Sequence, residues 1–354
     1  MDKEIYSAID ASINRALEGL RVCEDAARFS LRDVGCSSRL KELRHRVRDA
    51  ASRFPRELLL QGRDVESDGL KFIDLPGERS RGSLESLFTA NLHRATEAVR
   101  SLEEFSKLAF PGGGDNPFQE IRFALYSVER DIAPVLMREG RLAGFAGSVC
   151  AIINPPLLTG DEYRDAVTAM IRGGAAIIQL RLNARGSREI LSTAETTAGI
   201  CRGAGALFVL NGNPDIAVLS GADGVHLEPL ELGVADVRRI VPPRMIIGVT
   251  ARSPEAAESA AAEGADYLSV GPIFDTDYTD EDGPVLHEGA GTAIISDIRA
   301  AVSLPLMAFG GITPERTGEV VAAGADSIAA SSYLLRDGSI EENCRALRDA
   351  VRGG

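Results

Sequence analysis

Two segments near the C-terminal end combine glycine, hydroxyl residues and a helix start in the order that binds phosphate. In Phe309-Gly310-Gly311-Ile312-Thr313-Pro314, two glycines precede Thr at an N-cap position and Pro at the first helical position. Backbone N–H groups at such a start converge on an anion, and the helix dipole favours negative charge there. Ala330-Ser331-Ser332 can add hydroxyls and further N–H donors. Tight turning alone is the bland alternative for both segments. Polar residues also close short apolar runs where packing would not require them: Gln179 with Arg181, Asn211, His226, then Thr250 with Arg252. Arg181 can pair with an anion bidentately. A lone histidine more often serves structure than chemistry, so His226 counts mainly as a member of this convergent group.

To converge, these residues must stand on neighbouring strand ends. Eight short apolar runs supply them: Cys150–Ile153, Ala176–Leu182, Leu207–Asn211, Gly224–Leu227, Met245–Val249, Tyr267–Ile273, Leu306–Phe309 and Ser327–Ala330. Most are too short for helices and are bounded by Gly, Pro or Asn, which reads as strand. Helical stretches such as Asp161–Arg172, Ser253–Glu263 and Pro314–Ala323 lie between them, closed by Gly173-Gly174, Gly264 and Gly324 as left-handed caps. Eight strand–helix units in about 200 residues predict an α/β protein whose C-terminal part is a (β/α)₈ TIM barrel. Functional residues then project from the C-terminal strand ends. The alternative, an open doubly wound sheet, lacks its Gly-x-Gly-x-x-Gly fingerprint after the first strand.

An all-α domain with an internal duplication precedes the barrel. In Arg15–Arg28 (RALEGLRVCEDAAR) and Arg94–Lys107 (RATEAVRSLEEFSK), residues Arg15, Ala16, Glu18, Arg21 and Glu24 recur as Arg94, Ala95, Glu97, Arg100 and Glu103. A second pair follows, LKELRHRV at Leu40–Val47 and FQEIRFAL at Phe118–Leu125. Residues 1–136 therefore read as a duplicated helical hairpin forming a pseudo-symmetric bundle, 137–148 as a glycine-bearing linker, and 149–354 as the barrel. Ala16, Leu20, Cys23 and Ala27 give one apolar face. Arg and Glu residues three or four apart can pair along each helix, and a solvated charged face is the plain reading. The recurrence of charge identities favours instead a buried polar pocket for a small phosphorylated ligand, built from Arg15, Glu18, Arg21, Arg94, Glu97 and Arg100.

The 354 residues carry a formal charge of −13, which argues against a nucleic-acid or anionic-membrane partner. Any bound anion must be met by local donors. No leader of basic then apolar residues and no long apolar run occurs, so a cytoplasmic protein is expected. The five cysteines show no CxxC or metal-ligand spacing and fit reduced thiols. Small molecules are the expected partners, with a homo-oligomer left open.

Residues 149–350 resemble the thiamine phosphate synthase/TenI superfamily through IIQLRL, LFVLNG, GADGVHL, GADYLSVGPIFDT, AFGGITPE and AGADSIAASS. Residues 1–134 resemble a family described as an alternative hydroxymethylpyrimidine phosphate kinase, found alone or fused to thiamine phosphate synthase. The stretches that carry this second resemblance are NRALEGLRVCEDAARF and NLHRATEAVRSLEEF. No Walker-type loop occurs, so kinase activity follows from the resemblance alone. Together the two imply a thiamin-biosynthesis enzyme acting on small phosphorylated precursors. The synthase joins hydroxymethylpyrimidine diphosphate to thiazole phosphate, with Mg²⁺ carrying the diphosphate. TenI proteins use the same barrel for aromatising isomerisation of a thiazole phosphate carboxylate.

The resemblance carries over the residues that hold thiazole phosphate, Gly310-Gly311 and Ser332, with Thr276 in the loop before them. The diphosphate apparatus departs from the synthase pattern. Asn183 and Thr279 stand where the family has Lys, and Gly212 where it has a metal-binding Asp. Glu231 keeps the other acid and is the candidate Mg²⁺ ligand. Arg185 can replace one lysine, and no residue restores the lost acid. Asn211-Gly212 and Phe274-Asp275-Thr276-Asp277 are closer to TenI, although the TenI catalytic His falls on Arg252. Isomerisation is therefore set ahead of coupling, with His226, Arg252 and Asp277 as catalytic candidates and His287 and Glu228 as further proton carriers. Isomerisation needs no cofactor, whereas coupling needs Mg²⁺. A non-catalytic binder of thiazole phosphate is the third reading.

Overall fold

Helix formation in the first part of the chain follows the three- and four-residue spacing of its apolar side chains. In a computed structural model, which describes residues 3–63, 80–110, 116–153, 161–182, 186–280, 283–336 and 338–353, Ile9, Ile13, Ala16, Leu20 and Cys23 line the buried side of α1 (Lys3–Asp25). A π-helical turn (Ala26–Ser30) leads to α2 (Val34–Ala51), whose N-cap Asp33 accepts the Cys36 N–H at 2.8 Å. Next come α3 (Arg56–Gly62) and α4 (Leu84–Ala109), which opens on a Ser83/Ser86 capping box. The fifth helix, α5 (Pro117–Leu142), runs on through Pro134, because Val128, Ile132 and Leu136 keep the buried spacing across it. Residues 137–142, expected in a linker, are therefore its last turns. Two compact units result, Met1–Gly140 and Arg141–Gly354.

Two hairpins, α1/α2 and α4/α5, enclose the apolar core of the first unit. Helices α1 and α4 meet at small residues: a Cβ on Gly19 would lie 2.6 Å from the Asn91 carbonyl oxygen. Each hairpin holds one buried ion pair between its own helices, Glu24 with Arg44 and Glu103 with Arg122, both at 2.8 Å. These four residues are equivalents in the repeat, so the recurrence of Glu24 as Glu103 has a structural cause. The expected pocket residues do something else. Arg15, Glu18, Arg21, Arg94, Glu97 and Arg100 are all exposed. Arg21 pairs along its helix with Asp25, and Arg100 pairs with Glu103 and Glu104. They form a solvated charged face, and the buried pocket is corrected to that plainer reading.

In the second unit each of the eight expected runs overlaps a strand. These are β1 (Ser148–Ile153), β2 (Ile177–Leu180), β3 (Leu207–Asn211), β4 (Gly224–Leu227), β5 (Ile246–Ala251) and β6 (Tyr267–Val270), then β9 (Leu306–Phe309) and β10 (Ser327–Ala330). All pair in parallel and close in the order β1-β10-β9-β6-β5-β4-β3-β2. An antiparallel hairpin, β7 (Thr276–Asp280) and β8 (Gly283–His287), is inserted after β6. Its charged, turn-rich sequence carries no apolar run that would have marked it as strand. Helices α6 (Asp161–Gly173), α7 (Ser187–Ala204), α8 (Pro214–Ser220), α9 (Val234–Arg238), α10 (Pro254–Ala262), α11 (Ala293–Ala301), α12 (Pro314–Ala322) and α13 (Ile340–Gly353) complete the unit. No helix among the described residues is long and apolar enough to cross a membrane.

Strand alternation sorts the side chains. Ile178, Phe208, Val225, Ile247 and Leu268 face the helices, while Cys150, Ile177, Val209, Ile246, Tyr267 and Met307 fill the barrel with Phe145. Three Gly-Ala-Asp turns fasten the N-terminal rim. Asp223, Asp266 and Asp326 accept the N–H groups of Phe208, Ile247 and Leu306 at 3.0, 2.7 and 2.8 Å. They also pair with Arg141, Arg238 and Arg299. Their place at the rim opposite the strand C-termini makes them stabilising residues.

The buried ion pairs give the first unit a testable acid limb. Burial pushes the Glu103 carboxyl up, but hydrogen bonds from Arg122 and Arg100 outweigh it and hold it below the usual carboxylate range. Its contribution is present above the unfolded value of 4.5 and fades as pH falls through the lowered folded value. Glu103→Ala is expected to cost about 3 kcal/mol at neutral pH by stranding Arg122. The gap to wild type should narrow in acid, while exposed Glu97→Ala should stay within about 0.5 kcal/mol of wild type. Urea unfolding at both pH values checks this, and equal losses at both would discard the ion-pair account.

Candidate active site

At the C-terminal mouth of the barrel the inward positions turn from apolar to polar. Gln179 on β2, Asn211 on β3, His226 on β4, Thr250 on β5 and Ser269 on β6 are all buried and follow one another around the wall. Strand register sets Asn211 beside His226, and Thr250 beside Ser269. Ser269 was not anticipated, because it lies inside the run YLSVGPI rather than at its end. The His226 ring meets Thr250 Oγ1 through Nε2 at 2.9 Å and the Tyr267 hydroxyl through Nδ1 at 3.1 Å. Burial lowers its pKa to about 4, opposed by Glu228 and assisted by Arg181. The ring is therefore neutral near pH 7, with both nitrogens engaged by protein hydroxyls. Through these two contacts His226 bridges β4 to β5 and β6.

Two carboxylates gather where β3 passes into α8. The Glu228 backbone N–H donates to Glu231 Oε2 at 2.8 Å, and Asn211 Nδ2 donates to Glu228 Oε1 at 3.4 Å. Gly212, at φ +67°, leaves the room that Glu231 uses, since a Cβ there would lie 2.7 Å from Glu231 Oε1. Burial pushes the Glu231 carboxyl up, the Glu228 N–H draws it down, and the neighbouring Glu228 charge and Arg181 act in opposite senses. The net direction is upward. Arg181 thus stands within electrostatic reach of both Glu231 and His226.

Across the mouth, β9 and β10 are neighbours, which sets Gly310-Gly311 and Ser331-Ser332 on adjacent strand ends. Gly310 and Gly311 adopt φ of +93° and +64°. A Cβ would lie 2.4 Å from the Pro272 Cβ in the first case and 2.8 Å from the Asp275 carbonyl oxygen in the second. The Ile273 and Phe274 N–H groups tie the exit of β6 to this loop, donating to the Phe309 and Gly310 carbonyls at 2.9 and 3.2 Å. Arg316, also not anticipated, lies 4.6 Å over the Phe274 ring and donates to the Gly311 carbonyl at 3.1 Å. Its only mark in the sequence is its place in the first turn of α12, which Thr313 and Pro314 open as their spacing predicts.

Thr276 begins β7, opposite His287 in register. Exposed Arg252 follows β5 and lines two cavities, one beneath the Glu228–Gly233 loop and one beside Gly271, Pro272 and Glu288. The side chains of Asp277, Thr279 and His287, and the whole of Asn183 and Arg185, lie outside the described residues.

A family model described as thiamine monophosphate synthase matches residues 149–334. The chain belongs to that family. Residues 7–131 match the ThiD2 family. A thiamine-phosphate synthase of a Synechococcus strain is 32% identical over 342 residues, covering 96% of this chain and 94% of the relative. That of Methanoculleus marisnigri is 45% identical over 192 residues, covering 54% of this chain and 89% of the relative. Among solved structures, a thiamine phosphate pyrophosphorylase from Pyrococcus furiosus superposes with a TM-score of 0.52 at 29% identity, covering 58% of this chain and 96% of that one. These relatives are named for coupling, so the comparisons favour coupling over the isomerisation set ahead of it.

The loop geometry predicts opposite outcomes for two glycines of one segment. Gly311→Ala adds a methyl group against backbone at a left-handed position and should cost about 1–3 kcal/mol. Gly318→Ala, inside α12 with open space around it, should gain about 0.5–1 kcal/mol. Thermal unfolding of both variants checks this, and a neutral Gly311→Ala would show that the loop accepts a side chain.

Proposed function

We propose that the barrel couples hydroxymethylpyrimidine diphosphate to thiazole phosphate, forming thiamine phosphate and releasing diphosphate. The observation that carries this reading is the carboxylate pair over Gly212, with Arg181 close by. A thiazole monophosphate needs only N–H groups and hydroxyls, which Gly310-Gly311 and Ser331-Ser332 supply. Acids beside an arginine suit a diphosphate that arrives with a divalent cation.

The space at Gly212 and the oxygen donors of Glu231 and Glu228 fit Mg²⁺, which, when bound, would neutralise the diphosphate and stabilise it as it leaves. Arg181 meets the diphosphate oxygens. Gln179, Asn211, Thr250 and Ser269 present a polar wall to the pyrimidine, and His226 fixes the Thr250 hydroxyl within it. The Gly310-Gly311 loop and the serines orient the thiazole so that its nitrogen bonds the pyrimidine methylene carbon as the carbon–oxygen bond breaks. Arg252 lines the cavity nearest the β6 exit, where its guanidinium faces bound substrate.

The relatives named thiamine-phosphate synthase support coupling over isomerisation. The helical unit, through its resemblance to the alternative kinase, would supply the diphosphate that the barrel consumes.

Purified protein should form thiamine phosphate from the two substrates with Mg²⁺ and stop when EDTA is added. Arg181→Ala should lower kcat/KM by about ten- to a hundredfold, the worth of one charge-assisted contact. Product formation followed by chromatography reads this out. EDTA-insensitive isomerisation of the thiazole carboxylate, without coupling, would reverse the assignment.

A further inference from the structure

One hydrogen-bonded chain runs across three strands behind the mouth of the barrel. It links the Tyr267 hydroxyl on β6, the His226 ring on β4 and the Thr250 hydroxyl on β5, in steps of 3.1 and 2.9 Å. All three side chains are buried. Gly248 makes room for the chain, since a Cβ there would overlap the Tyr267 ring and hydroxyl. The His226 and Tyr267 rings also stack, with centroids 5.7 Å apart. We propose that Tyr267 is a positioning residue which, acting through His226, fixes the Thr250 hydroxyl as a hydrogen-bond donor to a ring nitrogen of the bound pyrimidine. The proposal rests on the coupling reading above, which sets the pyrimidine against this wall.

The number of protons sets the direction of the chain. Burial pushes the Tyr267 phenol well above its usual range, so the hydroxyl keeps its proton. A buried O–H needs an acceptor, and among the described residues the one it meets is His226 Nδ1. An imidazolium would offer no such acceptor. Nδ1 therefore carries a lone pair, and the single N–H of the ring sits on Nε2. That N–H donates to Thr250 Oγ1. Having accepted, the threonine hydroxyl turns its own proton away from the ring, and among the described residues no protein acceptor takes it. The proton is left for a ligand at the mouth. A donor fixed in this way favours a ring nitrogen with a free lone pair. It disfavours an amino group in the same place, because two donors facing each other leave both unpaired.

Long-range proton–nitrogen NMR spectra of the ligand-free, full-length protein read the tautomer, with His226→Gln identifying its signals among the four histidines. Wild type should show His226 protonated at Nε2 and bare at Nδ1. Tyr267→Phe, which removes only the hydroxyl, should abolish that single form. Calorimetry with hydroxymethylpyrimidine diphosphate and Mg²⁺ reads the consequence for binding. Thr250→Val should weaken it by about three- to tenfold, the worth of one neutral hydrogen bond, and Thr250→Ser should stay within roughly twofold of wild type. Tyr267→Phe alone should weaken it by about two- to fivefold, yet by less than about 1.5-fold in the Thr250→Val background, whereas a merely structural loss would add in full. Circular dichroism confirms that each variant is folded. An Nδ1–H ring in wild type, an unchanged tautomer in folded Tyr267→Phe, or additive losses overturns the inference and leaves the coupling reading standing if thiamine phosphate is formed. Wild type that shows the Nε2–H ring and the non-additive losses, but forms no thiamine phosphate, refutes only the coupling.

Discussion

A closed ring of parallel strands turns every second side chain into an interior that must be filled, and this alternation governs the rest of the second unit. Along β3 the inward residues are Leu207, Val209 and Asn211; along β6 they are Tyr267 and Ser269. The first members close the barrel near its N-terminal rim as an apolar plug. The last members have no apolar layer above them, so they face the mouth and can be polar. Depth along a strand thus separates stability from chemistry. The Gly-Ala-Asp turns obey the same division, since their carboxylates serve strand N–H groups and arginines at the far rim.

Burying polar side chains is tolerable only when each has a partner, because low dielectric makes an unpaired group costly. His226 shows how this constrains function. Its two nitrogens are committed to Thr250 and Tyr267, which ties three neighbouring strands together, and burial lowers its pKa. A fixed wall is the result. The adaptable charges stand one layer further out, on the loops that carry Glu228, Glu231 and Arg181.

Much of this architecture was legible in the residues themselves. Leu207–Asn211, Gly224–Leu227, Leu306–Phe309 and Ser327–Ala330 are strands with the limits their apolar runs suggest, because Gly, Pro and Asn punctuate them. The Gly310-Gly311 loop was legible for a similar reason, since Thr313-Pro314 marks the helix start after it. The β7–β8 hairpin was not legible, because its pairing depends on the partner strand rather than on an apolar pattern. Nor was the engagement of His226, which requires knowing that Tyr267 and Thr250 stand on the two strands beyond it. The helical unit misled in another way. Repeated charges suggested a pocket, yet burial divides them: Glu24 and Glu103 point inward, whereas Arg15 and Arg94 face solvent.

That helical unit is in effect a two-fold dimer written in one chain. Each hairpin keeps its own ion pair, and the halves meet through α1 and α4 at small residues, as identical subunits do across an isologous interface. Covalent linkage holds the halves at a fixed effective concentration, so their assembly does not depend on how much protein is present. It also lifts the rule that a residue in one half must appear in the other. Asp10 takes a bidentate contact from Arg63 at 2.8 Å through both oxygens, while its counterpart in the repeat is Thr89. One face of the bundle can thus specialise while its mirror face keeps the original packing, a freedom that a true homodimer lacks.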